Sequence, residues 1–369
     1  MKTGDYDKKL ISIVVLLLVL GLVVLSSASV VLSYNNFGEN FYYLKHQFLN
    51  GMVPGILAMA LLSRMDYRNL RKYAPFFLIV TLALLISVFV PALAYGTKGA
   101  SRWIVIAGMS IQPSELAKVT FIIYLAAWLE QRRKKINDPN EVFFPFIMIL
   151  ALIAIPILKQ PDLGTLIVVS GVSFVMYFVA GAGLAYISVM IVGGIIGVLA
   201  LIKIAPYRMN RLTVFLHPEL DPQGIGYQIN QSLLALGSGG LLGLGLGHSR
   251  QKFNYLPEPM GDSIFAIIGE ELGIWGTVLV IILFVVFAQR GFKIASETKD
   301  DFGKFMAVGI TSWIILQALM NIGAITSLIP LTGIPLPFIS YGGSSLLATL
   351  IGVGILLSIS RFGNSFNKK

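Results

Sequence analysis

Asp262 is the carboxylate whose placement most invites chemistry. It ends the charged stretch Arg250-Gln-Lys252-Phe-Asn-Tyr-Leu-Pro-Glu258-Pro-Met-Gly-Asp262 and is followed at once by an apolar run long enough to span a bilayer. A carboxylate at a membrane surface among basic groups could take the proton of a hydroxyl as a general base. The same position equally suits the N-cap of the next helix. Upstream, Tyr227-Gln-Ile-Asn-Gln-Ser232 places Gln228, Gln231 and Ser232 on roughly one helical face. The glycine run between them, Gly237 to Gly247, has neither dinucleotide nor P-loop spacing, so nucleotide binding is rejected; close backbone packing or a flexible loop suits it better.

Three further constellations carry polar groups. Arg102 and Trp103, in Gly99-Ala-Ser-Arg-Trp103, precede Gln112-Pro-Ser-Glu115-Leu-Ala-Lys118, where Glu115 and Lys118 share a helical face. They form either a structural ion pair or a polar cavity that admits an anion beside Lys118 and Arg102. Asp162, in Gln160-Pro-Asp-Leu-Gly-Thr165, stands where a helix cap would stand. The segment Leu331 to Ser345 (LTGIPLPFISYGGSS) is too rich in Pro and Gly for a regular helix, and irregular backbone at membrane depth needs a protein or water-filled surround. Its Gly342-Gly343-Ser-Ser run opens a helix, an anion-binding position, with Ser340 just before it. His46, His217 and His248 lack metal-ligand spacing, and without cysteine there are no thiol ligands.

The elements that must hold these groups are membrane helices. Hydrophobic residues make up 56% of the 369 residues and charged residues 12%, which excludes a soluble domain of this size. The apolar runs are continuous rather than alternating, which excludes a β-barrel. The reading is an all-α polytopic membrane protein with ten spans: 10–32, 47–63, 74–95, 114–129, 142–158, 166–180, 187–204, 263–289, 305–328 and 344–360. Basic residues cluster before the first span, at 64–72, 132–135 and 290–304, and after the last; their excess in these short segments marks the cytoplasmic side. Both termini are then cytoplasmic, and a large extracytoplasmic loop, about 205–262, joins the seventh and eighth spans. This pattern accounts for the net charge of +10 without nucleic acid. No internal repeat, low-complexity tract or second domain is visible, so residues 1–369 are read as a single transmembrane domain. Two functions fit these residues: an extracytoplasmic transferase acting on a lipid-linked anionic substrate, which needs a positioned outer base, and a transporter or flippase using the same polar cavity.

Six collinear motifs, GASRW, QPSELAK, QPDLGT, YQINQSLLALGSGG, KFNYLPEPMGDSIFAIIGEELG and TGIPLPFISYGGSS, resemble the SEDS family, whose members include FtsW, RodA and SpoVE, over residues 10–361. Within it, GLGHSRQKFNYLPE and the SSAS of the first span look more like FtsW than RodA. The resemblance implies a peptidoglycan glycosyltransferase that polymerises lipid II outside the bacterial cytoplasmic membrane. An FtsW-like role in septal synthesis follows, with a RodA-like elongation polymerase or a lipid II flippase as alternatives. The implied partners are lipid II and undecaprenyl-linked glycan, a class B penicillin-binding protein (a transpeptidase), and other membrane proteins of the divisome. The family's essential aspartate, in LPE-x-x-x-D, falls on Asp262. Gly261 and Ser263 depart from its flanking residues, commonly Thr or Ser before the aspartate and Phe after it. By the same resemblance Arg102, Trp103, Glu115 and Lys118 line a central cavity, with Ser340, Gly342 and Gly343 near it. Arg102, Lys118, Arg211, Arg250 and Lys252 are the cations expected to steady the leaving pyrophosphate, and Gln228, Gln231 and Glu258 complete the substrate site. No cofactor is demanded; a divalent cation, Mg or Mn, could assist the pyrophosphate.

Overall fold

The computed structural model describes residues 5–91, 94–95, 102–106, 109–253 and 255–363. Helix is found in every region where the sequence predicts a span. The first region holds α1 (Lys8–Ala28) and α2 (Val30–Phe37), and the second holds α3 (Tyr42–Gln47), a π-turn and α4 (Val53–Arg64). Then follow α5 (Ala74–Ser87), α6 (Pro113–Arg132), α7 (Phe144–Lys159), α8 (Leu163–Val179) and α9 (Leu184–Ile204). The long loop contains α10 (Pro206–Leu216) and α11 (Ile225–Ser238), and the chain closes with α12 (Ile264–Glu297), α13 (Asp301–Ile325) and α14 (Gly343–Phe362). Among the described residues, seven helical stretches are long and apolar enough to cross a membrane, and α8 is a shorter apolar helix.

Three boundaries differ from expectation. The first apolar region is interrupted at Ser29, between α1 and α2. The third ends at Ser87 rather than at residue 95, as the chain approaches Pro91, which disfavours helix before it. The loop beyond it holds a small antiparallel sheet, β1 (Ala94–Tyr95), β2 (Trp103–Ile106) and β3 (Met109–Ile111), with Ala94 opposite Ile104 and Val105 opposite Ser110. The β-branched and aromatic run Trp103-Ile-Val-Ile106 suits a strand, but it is too short to show a period of its own. Residues 99–101 of the Arg102 constellation lie outside the described residues.

Burial identifies the centre. Within their most apolar windows, α13 and α14 are 72% and 78% buried against 6% for α9, so α13 and α14 form the core and α9 faces outward. Lipid is as apolar as leucine, so close packing holds such helices together. At the α4–α14 contact a Cβ on Gly354 would lie 2.8 Å from Met59 Cα, an approach only glycine permits.

The glycine run has a structural task. α12 is broken at Gly273, where φ is 65° and ψ is −161°, a conformation essentially reserved for glycine. The break strips partners from neighbouring backbone groups, and the run supplies them. Leu244 N–H donates to Glu270 O at 2.9 Å, Gly245 N–H to Glu271 O at 3.0 Å, and Ile274 N–H to Gly240 O at 3.0 Å. The loop before Asp262 is thus stitched into the helix after it. A Cβ on Gly273 would sit 2.4 Å from Gly243 N. Gly273→Ala should therefore destabilise the protein by about 1–3 kcal/mol, seen as a lower midpoint of thermal unfolding in detergent.

Candidate active site

Asp262 sits at the mouth of α12, half-buried. The N-cap of that helix is Ser263, and no side chain caps it, so helix capping does not consume the Asp262 carboxylate. Its oxygen Oδ1 faces Gln228 Nε2 of α11 and Ser263 Oγ, both at 3.5 Å, the outer limit for a hydrogen bond. Gln228 bonds Ser263 Oγ better, at 3.1 Å. Burial, and then the negative charge of nearby Glu258, push the Asp262 carboxyl up to about 6; the weak bonds from Gln228 and Ser263 only partly oppose this. A carboxylate so tuned is ionised at neutral pH yet basic enough to accept a proton.

Asp162 shows the contrast. It accepts Thr165 N–H at 3.0 Å and Thr165 Oγ–H at 2.7 Å, so helix capping accounts for it.

Arg211 lies within electrostatic reach of Asp262, and Arg102 within reach of Arg211. Arg211 of α10 donates from Nη1 to Leu331 O at 3.4 Å. Burial and the charge of Arg102 lower its pKa, while Tyr207, Asp262 and Asp162 act the other way. Arg102 donates from Nε to Gln160 O at 3.0 Å and from Nη2 to Pro161 O, bracing the turn between α7 and α8. Trp103 lies half-buried on β2. Arg211 also borders a cavity of about 400 Å³ between α8, α9, α10 and residues 329–332. Its walls are apolar, Ile167, Val198, Ile202 and Met320 among them, with Arg208 beside Arg211.

Several predicted ligand groups are engaged elsewhere. Lys118 and Glu115 are both buried and bonded at 2.8 Å. Lys118 Nζ also donates to Gln317 Oε1 at 2.7 Å and lies over the Trp313 ring. Its charge is answered within the protein, so the expectation that Lys118 admits an anion is corrected in favour of a structural ion pair. Lys252 is likewise committed, donating to Glu271 Oε1 at 3.1 Å, Ser27 Oγ at 2.9 Å and Gly247 O at 2.6 Å. It secures the loop and is not presented to a pyrophosphate.

The Gly342 amide donates to Gln47 Oε1 at 2.9 Å, and Gly343 packs against Gly51. At the start of α14 the Gly342 amide is thus bonded within the protein. Gln231 is half-buried on α11 without a hydrogen bond to Asp262 among the described residues, while Arg250 and Glu258 are exposed. The Glu258 carbonyl accepts Gly261 N–H at 3.0 Å and Ser263 N–H at 3.3 Å, closing the turn that presents Asp262. Among the described residues no three His, Asp or Glu side chains converge.

Sequence reading missed the polar face of α13. Gln317 bridges Lys118 to Pro335 O, donating to the latter at 3.1 Å, and Asn321, one turn on, donates to Asp262 O at 2.8 Å. Two side-chain amides four residues apart in an apolar span were the available signal. Ser340 Oγ donates to Gly261 O at 2.7 Å, next to Asp262 in the chain. Because Glu115 would be left buried and unpaired, Lys118→Ala should cost about 3–5 kcal/mol of stability. Loss of folded protein in size-exclusion and thermal assays, rather than weaker substrate binding, is the expected outcome.

The comparisons place this architecture. A family model for cell cycle proteins of the FtsW/RodA/SpoVE type matches residues 8–365. Stage V sporulation protein E of Bacillus subtilis is 44% identical over 361 residues, covering 98% of each chain. A probable peptidoglycan glycosyltransferase FtsW of Geobacter metallireducens is 41% identical, covering 96% of this chain and 94% of the relative. Among solved structures, a chain from a peptidoglycan synthase complex that coordinates polymerization and crosslinking is similar at a TM-score of 0.78 and 27% identity, covering 96% of this chain and 97% of that one. Rod shape determining protein RodA of Thermus thermophilus is similar at 0.70 and 27%, covering 96% of each. With helices, motifs and relatives in agreement from end to end, the chain belongs to the FtsW/RodA/SpoVE family of cell cycle proteins.

Proposed function

We propose that this protein is a peptidoglycan glycosyltransferase that polymerises lipid II on the outer face of the bacterial cytoplasmic membrane, with Asp262 as general base. One observation carries the mechanism: an uncapped, half-buried carboxylate, raised to about 6, within electrostatic reach of Arg211, which itself borders a largely apolar cavity. The names of the FtsW relatives support the reaction class.

The ionised Asp262 carboxylate accepts the proton of the acceptor sugar's 4-hydroxyl. The freed oxygen attacks the anomeric carbon of the lipid-linked donor. The bond from that carbon to the pyrophosphate oxygen breaks, and undecaprenyl pyrophosphate leaves with the electron pair. Arg211 and Arg102 offset the charge that develops there, and the apolar cavity accommodates prenyl chain. The single displacement inverts the anomeric carbon; trapping of a covalent sugar on Asp262 would contradict it.

We read ten crossings with both termini cytoplasmic, supported by helix at all ten places and by the basic clusters. All residues are read as one transmembrane domain. A class B penicillin-binding protein is the assigned partner, supported by the synthase complex that contains a similar chain. Septal synthesis among divisome membrane proteins is the assigned setting, supported by the FtsW relatives. The similar sporulation relative makes complementation of division and sporulation mutants the deciding observation.

The reaction test is polymerisation of purified lipid II, with and without the class B partner. Asp262→Asn should reduce glycan formation by about 10²–10⁴-fold, the range of general-base catalysis, while lipid II still binds. Wild-type rates in that variant would remove the base, and no product under any condition would point to lipid transport instead. Because the base must be ionised, the wild-type rate should fall as pH drops through about 6, by about tenfold per unit below it. A rate that is flat between pH 7 and pH 5 would exclude Asp262 as the titrating base.

A further inference from the structure

Three successive carbonyls leading through Asp262 are each held by a donor from a distant part of the chain. The Tyr341 N–H donates to Met260 O at 2.8 Å. Ser340 Oγ donates to Gly261 O at 2.7 Å, and Asn321 Nδ2 donates to Asp262 O at 2.8 Å. The same Asn321 amide nitrogen donates to Ile334 O at 2.8 Å, so one side chain ties the Asp262 loop to the irregular segment 334–342. Asn321 is buried, and its Oδ1 has no partner among the described residues. Leaving a buried acceptor unpaired costs free energy. The residue's visible return is its two donated bonds.

The donors are themselves fixed. Asn321 lies one turn beyond Gln317 on α13, and Gln317 is held by Lys118 Nζ at 2.7 Å and by Trp313 Nε1 at 2.8 Å. Ser340 Oγ accepts Leu336 N–H at 2.8 Å. Gln47 accepts Gly342 N–H at 2.9 Å and donates to Ser340 O at 3.3 Å. The segment that clamps Asp262 is therefore pinned at Ile334, Pro335, Ser340 and Gly342 by side chains on helices. By contrast, the side chains that meet the Asp262 carboxylate among the described residues, Gln228 and Ser263, do so at 3.5 Å. Its direction must come mainly from its backbone.

We propose that Asn321 is a positioning residue for Asp262, which with Ser340 fixes the main chain of residues 260–262 so that the carboxylate meets the acceptor hydroxyl. The proposal rests on the reading of Asp262 as the base. It also gives the Glu115–Lys118 pair a role through Gln317, as part of the frame that holds the clamp rather than as a ligand site.

The test uses the full-length protein in detergent or nanodiscs with purified lipid II. Asn321→Leu keeps a similar volume and removes the donor. It should lower kcat by about 100-fold, the scale of a 1 Å misplacement, and leave KM for lipid II within about threefold, the pattern of an interaction that matters only in the transition state. Hydrogen–deuterium exchange should rise in the peptide covering 256–264 and stay at wild-type levels in α14. Ser340→Ala, which removes a single hydroxyl, should move both readouts in the same direction and decides the matter if the α13 variant does not fold. Wild-type kcat and wild-type exchange in these variants, with Asp262→Asn inactive, would overturn the clamp and leave the base in place. An active Asp262→Asn would remove the base, and the clamp with it.

Discussion

The constraint on which this structure depends is that backbone polar groups shielded from water must find partners inside the protein. Regular helices meet it unaided. The three segments that build the site do not: the glycine run at 237–247, the loop at 249–263 and the proline-rich stretch at 331–342. Each is satisfied by something brought to it. The glycine run bonds the groups released at the Gly273 break. Glu270 and Glu271 reach from α12 to the next loop, accepting the N–H groups of Arg250 at 2.8 Å and Ser249 at 3.2 Å. Gln47, Gln317, Asn321 and Ser340 satisfy the third segment.

The same rule explains which charged groups are structural. Buried charge is tolerated when paired, and the Glu115–Lys118 and Lys252–Glu271 pairs are tightly made, while Asp162 is used up at a helix start. Asp262 is the exception. Its carboxylate is neither paired at contact distance nor capping, its hydrogen bonds to Gln228 and Ser263 are long, and burial and the charge of Glu258 push its pKa up to about 6. Incomplete satisfaction leaves this carboxylate chemically available, while the carbonyls of Met260, Gly261 and Asp262 beneath it are each held by a hydrogen bond.

The helical architecture was legible because its signal is local. Unbroken apolar runs with charged turns between them admit only membrane helices, and all ten regions are helical. Asp262 was legible for a similar reason, standing at the junction of a charged loop and an apolar run within a recognisable motif. The small sheet at 94–111 was not, because its strands are two to four residues long and pair across the loop. Nor was Asn321, whose role depends on which carbonyls fold against it.

The amino-acid sequence by itself determined the class of protein, the helical regions, the family motifs and the place of Asp262 where a charged loop meets an apolar run. These follow from hydropathy, from turn chemistry and from residues adjacent in the chain. Only the tertiary structure decided which polar residues are free to act. Lys118 and Lys252 looked like ligand groups until Gln317, Glu271 and Ser27, far away in sequence, were found to occupy them. Asp262 looked as much like a helix cap as a base until Ser263 took the cap position. The reason is physical. A charged group's availability is set by its partners and its desolvation, and both are supplied by packing between elements that are distant along the chain.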